Sequence, residues 1–287
     1  SRLGVFSSQG KVSRNTCFEH ERCLLKLIYE ITGMDDFTTK PKDLTGKVAL
    51  VTGSSTGLGL AIAKELSKRG ARVALNYAHN QVRAEAGFES FTKEGGVGAL
   101  FKADVTDQAS IQRLVAEIKA ELGAVDILVP NATPDQPIKP IEDYRWEDYE
   151  EMVHFFIKSP FLLTQAVIRE MKAKEWGRIV NLSSEVVELG VPNFSAYVAA
   201  KGGQKAWTHS MSNELAPFGI TVNTVSPGWI PSERHADTRQ AELDAYLQAI
   251  PVGRWGIPED IAVAVANFCS PAASFVTGQS LCVNGGR

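Results

Sequence analysis

From Lys47 onward, short apolar, β-rich runs alternate with longer segments whose apolar residues recur every three or four positions. A chain with both periods in strict alternation buries them together as a parallel sheet with helices on its faces. The runs fall at 48–51, 72–75, 99–101, 125–129, 178–182, 220–223 and 280–283, which predicts seven strands. They are nearly continuous in hydrophobicity, so both faces of the sheet are expected to be covered. Between them, sets such as Ile111, Leu114, Val115 and Ile118 mark amphipathic helices. The longest patterns, about 146–174 and 195–215, flank the fifth run. The expected fold is therefore α/β, a single Rossmann-type doubly wound domain on a seven-stranded parallel sheet.

The 287 residues are 44% apolar, enough for one large core. Residues 1–41 contain no strand run and one amphipathic pattern, from His20 to Ile31, closed by Gly33. They read as a short helical N-terminal extension ahead of a domain at 42–287. Within that domain, about 231–252 reads as a lid, with a helix from Gln240 to Leu247. A net charge of −3, with no Lys/Arg run beyond a pair, predicts neither a nucleic-acid nor a membrane partner and leaves a small molecule. Four scattered cysteines, no leader and no long apolar run predict a reduced, cytoplasmic setting. The five histidines form no ligand-spaced cluster, so no metal is expected.

Directly after the first run comes Thr52-Gly53-Ser54-Ser55-Thr56-Gly57-Leu58-Gly59, which leads into a helical pattern. A glycine turn that opens a helix suits a phosphate, because the backbone approaches without a Cβ and the helix N-terminus presents free N–H groups. Gly53, Ser55, Thr56, Gly57, Leu58 and Gly59 are the candidate pyrophosphate contacts. Further on, Tyr197 and Lys201 stand four residues apart, on one face of the expected 195–215 helix. An ammonium beside a phenol favours the phenolate and brings a group of pKa near 10 towards neutrality. Ser184 closes the fifth run, thirteen residues before Tyr197.

The loop Thr-Gly-x-x-x-Gly-x-Gly, the Tyr-x-x-x-Lys pair and Ser184 at this spacing resemble the short-chain dehydrogenase/reductase family over roughly 44–286. The resemblance implies hydride transfer between a nicotinamide and a carbonyl or secondary alcohol. It makes Tyr197 the proton donor or acceptor, Lys201 the group that lowers its pKa and binds the nicotinamide ribose, and Ser184 the residue orienting the substrate oxygen. It further implies cofactor contacts from Asn76 and Tyr77 after the second strand and from Asp104 and Val105 after the third. Asn131 and Ala132 follow the fourth strand, and Pro227, Gly228, Ile230 and Ser232 follow the sixth. A homotetramer or homodimer built on the two long helices is implied as well.

Two departures stand out. The family usually reads Asn-Asn-Ala-Gly after the fourth strand, whereas this chain has Pro130-Asn131-Ala132-Thr133, so its backbone there is expected to run differently. Phe156 occupies the place of an asparagine which, in the family, helps hold a water leading from the lysine to solvent. These departures bring a halohydrin dehalogenase-like lyase and a cofactor-binding regulator or pseudoenzyme into view as alternatives. The intact glycines and Lys201 favour redox chemistry.

Asn76-Tyr77-Ala78-His79 carries no acid for a ribose 2′-OH, which favours NADP(H) over NAD(H). Glu185, Asn193 and Trp229 are the candidate substrate residues. The loop resembles that of bacterial glucose dehydrogenases and the layout that of 3-oxoacyl-carrier-protein reductases, so the substrate itself stays open.

Overall fold

The seven apolar runs become strands β1 (Val48–Val51), β2 (Arg72–Tyr77), β3 (Gly98–Lys102), β4 (Ile127–Val129), β5 (Gly177–Leu182), β6 (Ile220–Pro227) and β7 (Ser280–Val283). The computed structural model describes residues 42–231 and 238–287. The expected helix at 20–31 and the expected contact Ser232 lie outside the described residues. All strands are parallel in the order β3-β2-β1-β4-β5-β6-β7. The order reverses between β1 and β4, and such a switch point, at the C-terminal ends of the strands, is where open α/β sheets hold ligands.

Helices α1 (Gly57–Lys68), α2 (Gln81–Lys93), α3 (Gln108–Glu121), α4 (Trp146–Val153), α5 (Ser159–Ala173), α6 (Val186–Leu189), α7 (Ser195–Leu215), α8 (Gln240–Gln248) and α9 (Pro258–Cys269) follow in chain order. One apolar layer joins β1 and β2 to Ile62 and Leu66 of α1 and to Ile261 and Val265 of α9. The layer on the opposite face carries Ile111, Leu114 and Ile118 of α3 with Leu163 and Val167 of α5. The central strands are buried on both faces, as their unbroken apolar runs require. β7, at the sheet edge, leaves Leu281 and Cys282 exposed.

The long pattern at 146–174 is one helical path with a wide turn in its middle, a π segment at His154–Lys158 between α4 and α5. Pro160 accounts for the break in the ladder. It has no N–H to give to the carbonyl four residues back, that of Phe156, and such gaps are relieved by wider i→i−5 turns. This segment carries Phe156 inward, where it packs with Met152 on Ala196, Tyr197 and Ala200 of α7.

Candidate functional site

The first strand's loop is knotted to both neighbouring strands by buried side chains. Thr52, 1% exposed, accepts the backbone N–H groups of Asn131 and Ala132 at 2.9 and 3.0 Å. Asn131 returns its side-chain amide to the carbonyls of Thr52 and Gly53 at 2.9 and 3.0 Å. On the other side, Ser54 donates to the Val51 carbonyl and accepts the Asn76 N–H, while Asn76 Oδ1 accepts the Gly53 N–H at 3.2 Å. The Asn76 amide reaches the Ala103 carbonyl at 3.1 Å, which ties the loop to the end of β3. Asn76 and Asn131, read from sequence as cofactor contacts, thus spend their side chains on holding the crest in place.

The three loop glycines separate into two kinds. A Cβ on Gly53 would come within 2.8 Å of Ala132 Cα, and one on Gly59 within 2.5 Å of the Gly53 carbonyl oxygen and of Asn131 Nδ2. Both are packing positions. Gly57, at φ +55°, would send its Cβ into open space in front of the α1 N-terminus, whose cap residue Thr56 makes no side-chain capping bond. Ser55, Thr56 and Leu58 sit half-buried around this exposed crest. A smooth, uncapped helix end with room before it fits a pyrophosphate, which brings its own oxygens to the free N–H groups.

Tyr77, half-buried, ends β2, and Val105 is buried after β3. Asp104 is exposed beside it, and its Oδ1 accepts from the Thr106 N–H and hydroxyl at 2.8 and 2.7 Å. Partial burial raises its pKa, but those two hydrogen bonds, with His79 and Lys158 nearby, outweigh burial and hold it below the usual aspartate value.

The β5 end and α7 bring the remaining candidates together at the same edge. Ser184 follows β5, and its Oγ accepts the Val186 N–H at 3.4 Å. Tyr197 lies in the first turn of α7, with Phe194 at 4.7 Å and Phe156 at 5.3 Å between ring centroids. Lys201, one turn on, is 5% exposed; its Nζ donates to the Leu182 carbonyl at the end of β5 and lies 5.7 Å from the centre of the Tyr197 ring. Burial lowers the Lys201 pKa to about 7.

Glu185 is buried beside Ser184 and accepts from three partners. Tyr246 of α8 donates at 2.6 Å, Arg287 at 3.0 Å and Asn284 at 3.2 Å. Tyr246 in turn accepts the Trp229 N–H at 2.6 Å, and burial together with Glu185 pushes its pKa up to about 12, so it remains a donor. Trp229, half-buried, packs edge-on against Tyr246 and Trp255. A cavity of about 230 Å³ bounded by Trp229, Ile230, Tyr246, Ile250 and Asn284 lies alongside. Pro227 is buried at the end of β6, and its carbonyl takes the Glu185 N–H at 3.0 Å. Gly228 donates to the Val283 carbonyl at 3.0 Å. Asn193 stands apart, exposed at φ +61°, with its carbonyl receiving Lys139 N–H and Tyr144 OH.

Sequence reasoning missed Tyr246, Asn284 and Arg287 as partners of Glu185, and also Thr52 and Ser54. The first three lie 61, 99 and 102 positions from Glu185, and no local pattern marks such a meeting. For the loop pair, a hydroxyl at the end of a buried strand was a readable signal, since it must find partners there.

Residues 53–287 match a family model described as enoyl-(acyl carrier protein) reductase. The chain is 41% identical over 246 residues to the 3-oxoacyl-acyl-carrier-protein reductase FabG of Vibrio cholerae, covering 85% of this chain and 98% of that protein. It is 35% identical over 247 residues to the 2-dehydro-3-deoxy-D-gluconate 5-dehydrogenase of Formosa agariphila, covering 85% and 93%. A solved structure from Agrobacterium tumefaciens, provisionally described as a gluconate dehydrogenase, superposes with a TM-score of 0.81 at 33% identity, covering 85% and 97%.

Three outcomes follow from this geometry. Gly57→Ala should fold, with a loss of about 1 kcal/mol for a Cβ in the left-handed region, and weaken nicotinamide dinucleotide binding at least tenfold in a fluorescence titration. Gly59→Ala should instead lower the melting temperature steeply, since its Cβ meets backbone. Glu185→Ala strips Tyr246 and Arg287 of their carboxylate acceptor, leaves Asn284 with the Arg287 carbonyl alone, and should cost about 2–3 kcal/mol in urea denaturation, whereas an unchanged midpoint would mean the carboxylate holds nothing.

Proposed function

The chain belongs to the short-chain dehydrogenase/reductase family and is an NAD(P)-dependent oxidoreductase acting on carbonyl or alcohol substrates, and from that premise we propose how its own residues divide the work. A bound nicotinamide would supply or take the hydride. Tyr197 gives its phenolic proton to the substrate oxygen on reduction and takes one back on oxidation. Ser184 donates a hydrogen bond to the same oxygen and holds it in line. Lys201 binds the nicotinamide ribose and, when charged, lowers the tyrosine pKa.

The single observation that carries this reading is the packing of Tyr197 and Lys201 on one face of α7 at the end of β5, at the same edge of the sheet as the open Gly57 crest. That edge is where open α/β sheets hold ligands. A bound dinucleotide would be held at its pyrophosphate by the N–H groups of the Gly57 crest, with Asp104 and Val105 available to the adenine and Ala132 and the turn from Pro227 to Ile230 to the nicotinamide. Asn76 and Asn131 act indirectly, by positioning the loop.

We favour NADP(H), because Tyr77 at the end of β2 and the following Ala78-His79 offer no carboxylate to a 2′-OH and the Asn76 side chain is already bonded inward. The substrate is a carbonyl compound or the matching secondary alcohol, admitted beside α8. Trp229 forms an apolar wall there, while Glu185 acts by latching α8 through Tyr246. We place the protein in the cytoplasm on its sparse cysteines, and we propose a homotetramer or homodimer on the family pattern. Among the described residues no helix is long and apolar enough to cross a membrane.

Steady-state turnover and cofactor titration test the assignment. Tyr197→Phe should bind NADP(H) normally and lose turnover about 100-fold or more; full activity would overturn the mechanism. For Lys201 the sign is set by burial, which holds its folded pKa near 7 against an unfolded value near 10.5. The charge is therefore lost as pH rises through about 7, and NADP(H) affinity should fall over pH 7–9. Between those two values the unfolded chain binds the extra proton, so the buried lysine subtracts stability at pH 7. Lys201→Met should accordingly unfold at a higher temperature, bind NADP(H) about tenfold or more weakly, and lose that pH dependence.

A further inference from the structure

The ammonium of Lys201 has an unusual set of neighbours. β5 offers it one acceptor, the Leu182 carbonyl, and its own helix α7 offers the Tyr197 ring at 5.7 Å. The third element packed against it, the π segment, presents the face of Phe156, whose ring centre is 3.7 Å from Nζ. Among the described residues no carboxylate pairs with it, and burial alone accounts for its lowered pKa. Phe156 is itself 2% exposed and meets the Tyr197 ring edge-on at 5.3 Å, so one phenyl ring touches both the lysine and the tyrosine.

A buried ammonium needs compensation for the water it has lost. One carbonyl satisfies one of its three donors. The π face of a phenyl ring, negative at its centre, attracts a cation most strongly where water is excluded. A leucine in the same place would give the same dryness with no attraction, and an asparagine would give hydrogen bonds and admit water.

We propose that Phe156 is a positioning residue, its ring face holding the charged form of Lys201 in place at the end of β5 by a cation–π contact that takes the place of a hydrogen-bonded polar partner. The proposal rests on the reading of Lys201 as the ribose-binding and tyrosine-tuning group. It adds that in this chain the lysine reaches its working state through an aromatic face. The π segment acquires a role, since the wide turn at His154–Lys158 is the part of the helical path that carries this ring. Proton exchange at Lys201 must then proceed from the Tyr197 or cofactor side, because the ring closes the side facing the π segment.

The test is the titration of Lys201 in the cofactor-free protein, followed by NMR of ¹³Cε-labelled lysine and assigned with Lys201→Met. Phe156→Leu keeps the site dry and removes the attraction, so the Lys201 midpoint should fall by about one pH unit. Phe156→Asn solvates the ammonium, so the midpoint should rise. If the leucine variant does not fold, phenylalanine bearing one, two or three ring fluorines at position 156 keeps the shape while weakening the π face, and the midpoint should fall stepwise. An unchanged midpoint across the fluorinated series would overturn the proposal, as would a rise in the leucine variant. NADP(H) affinity at pH 7.5, measured on the same variants, separates the two layers of the argument. A shifted midpoint with unaltered affinity would support the ring contact and overturn the reading of Lys201 as a cofactor ligand.

Discussion

The buried hydroxyl of Thr52 is the point on which the site's geometry depends. By accepting two backbone N–H groups from the segment after β4, it locks the ends of β1 and β4 together at the switch point of the sheet. Ser54 and Asn76 make the matching knot to β2. Each buried polar atom in these knots has a partner, and that satisfaction makes them specific, because a shifted loop would leave several buried groups unbonded. The crest at Gly57 is thereby held open over the end of α1 without any side chain of its own to define it.

The opposite half of the edge is organised around two buried charges treated in contrasting ways. Glu185 gathers a tyrosine, an amide and an arginine, linking the residue after Ser184 to α8 and to the end of the chain. Among the described residues Lys201 has no such counter-charge; it is desolvated against a carbonyl and a phenyl face. The first arrangement stabilises the fold around α8. The second costs stability and leaves a cation near its titration point, which is the state in which a small change at the ribose or the phenol has the largest effect on charge.

The strands were legible because buried parallel strands must be apolar throughout, and each of the seven runs became a strand. β6 extends four residues past its run to Pro227, carried by pairing with β7 that no periodicity signals. The long helical pattern at 146–174 was visible, but its π turn was not, although Pro160 was the local cause. In the site, Tyr197 and Lys201 could be read from spacing on one helix face. The division of labour among Gly53, Gly57 and Gly59 could not, since it depends on what each missing Cβ would meet. For Asn76 and Asn131, the place at strand ends could be read, but the bonds of their amides to neighbouring carbonyls could not, since the sheet alone brings those carbonyls near. The departure at Phe156 was visible as a residue, but its place over Lys201 was not, since that depends on how the π segment packs against α7.

The central claim is that this edge transfers a hydride directly between nicotinamide and a carbonyl carbon, with Tyr197 supplying the proton. The most direct measurement is reduction of an accepted ketone with NADPH carrying deuterium at the transferring C4 position, with the alcohol analysed by mass spectrometry and NMR. The account predicts one deuterium per product molecule, bound to the carbinol carbon, with the hydroxyl hydrogen drawn from solvent. A cofactor-saturated protein that returns unlabelled alcohol, or that reduces nothing across a broad panel of ketones, would contradict it.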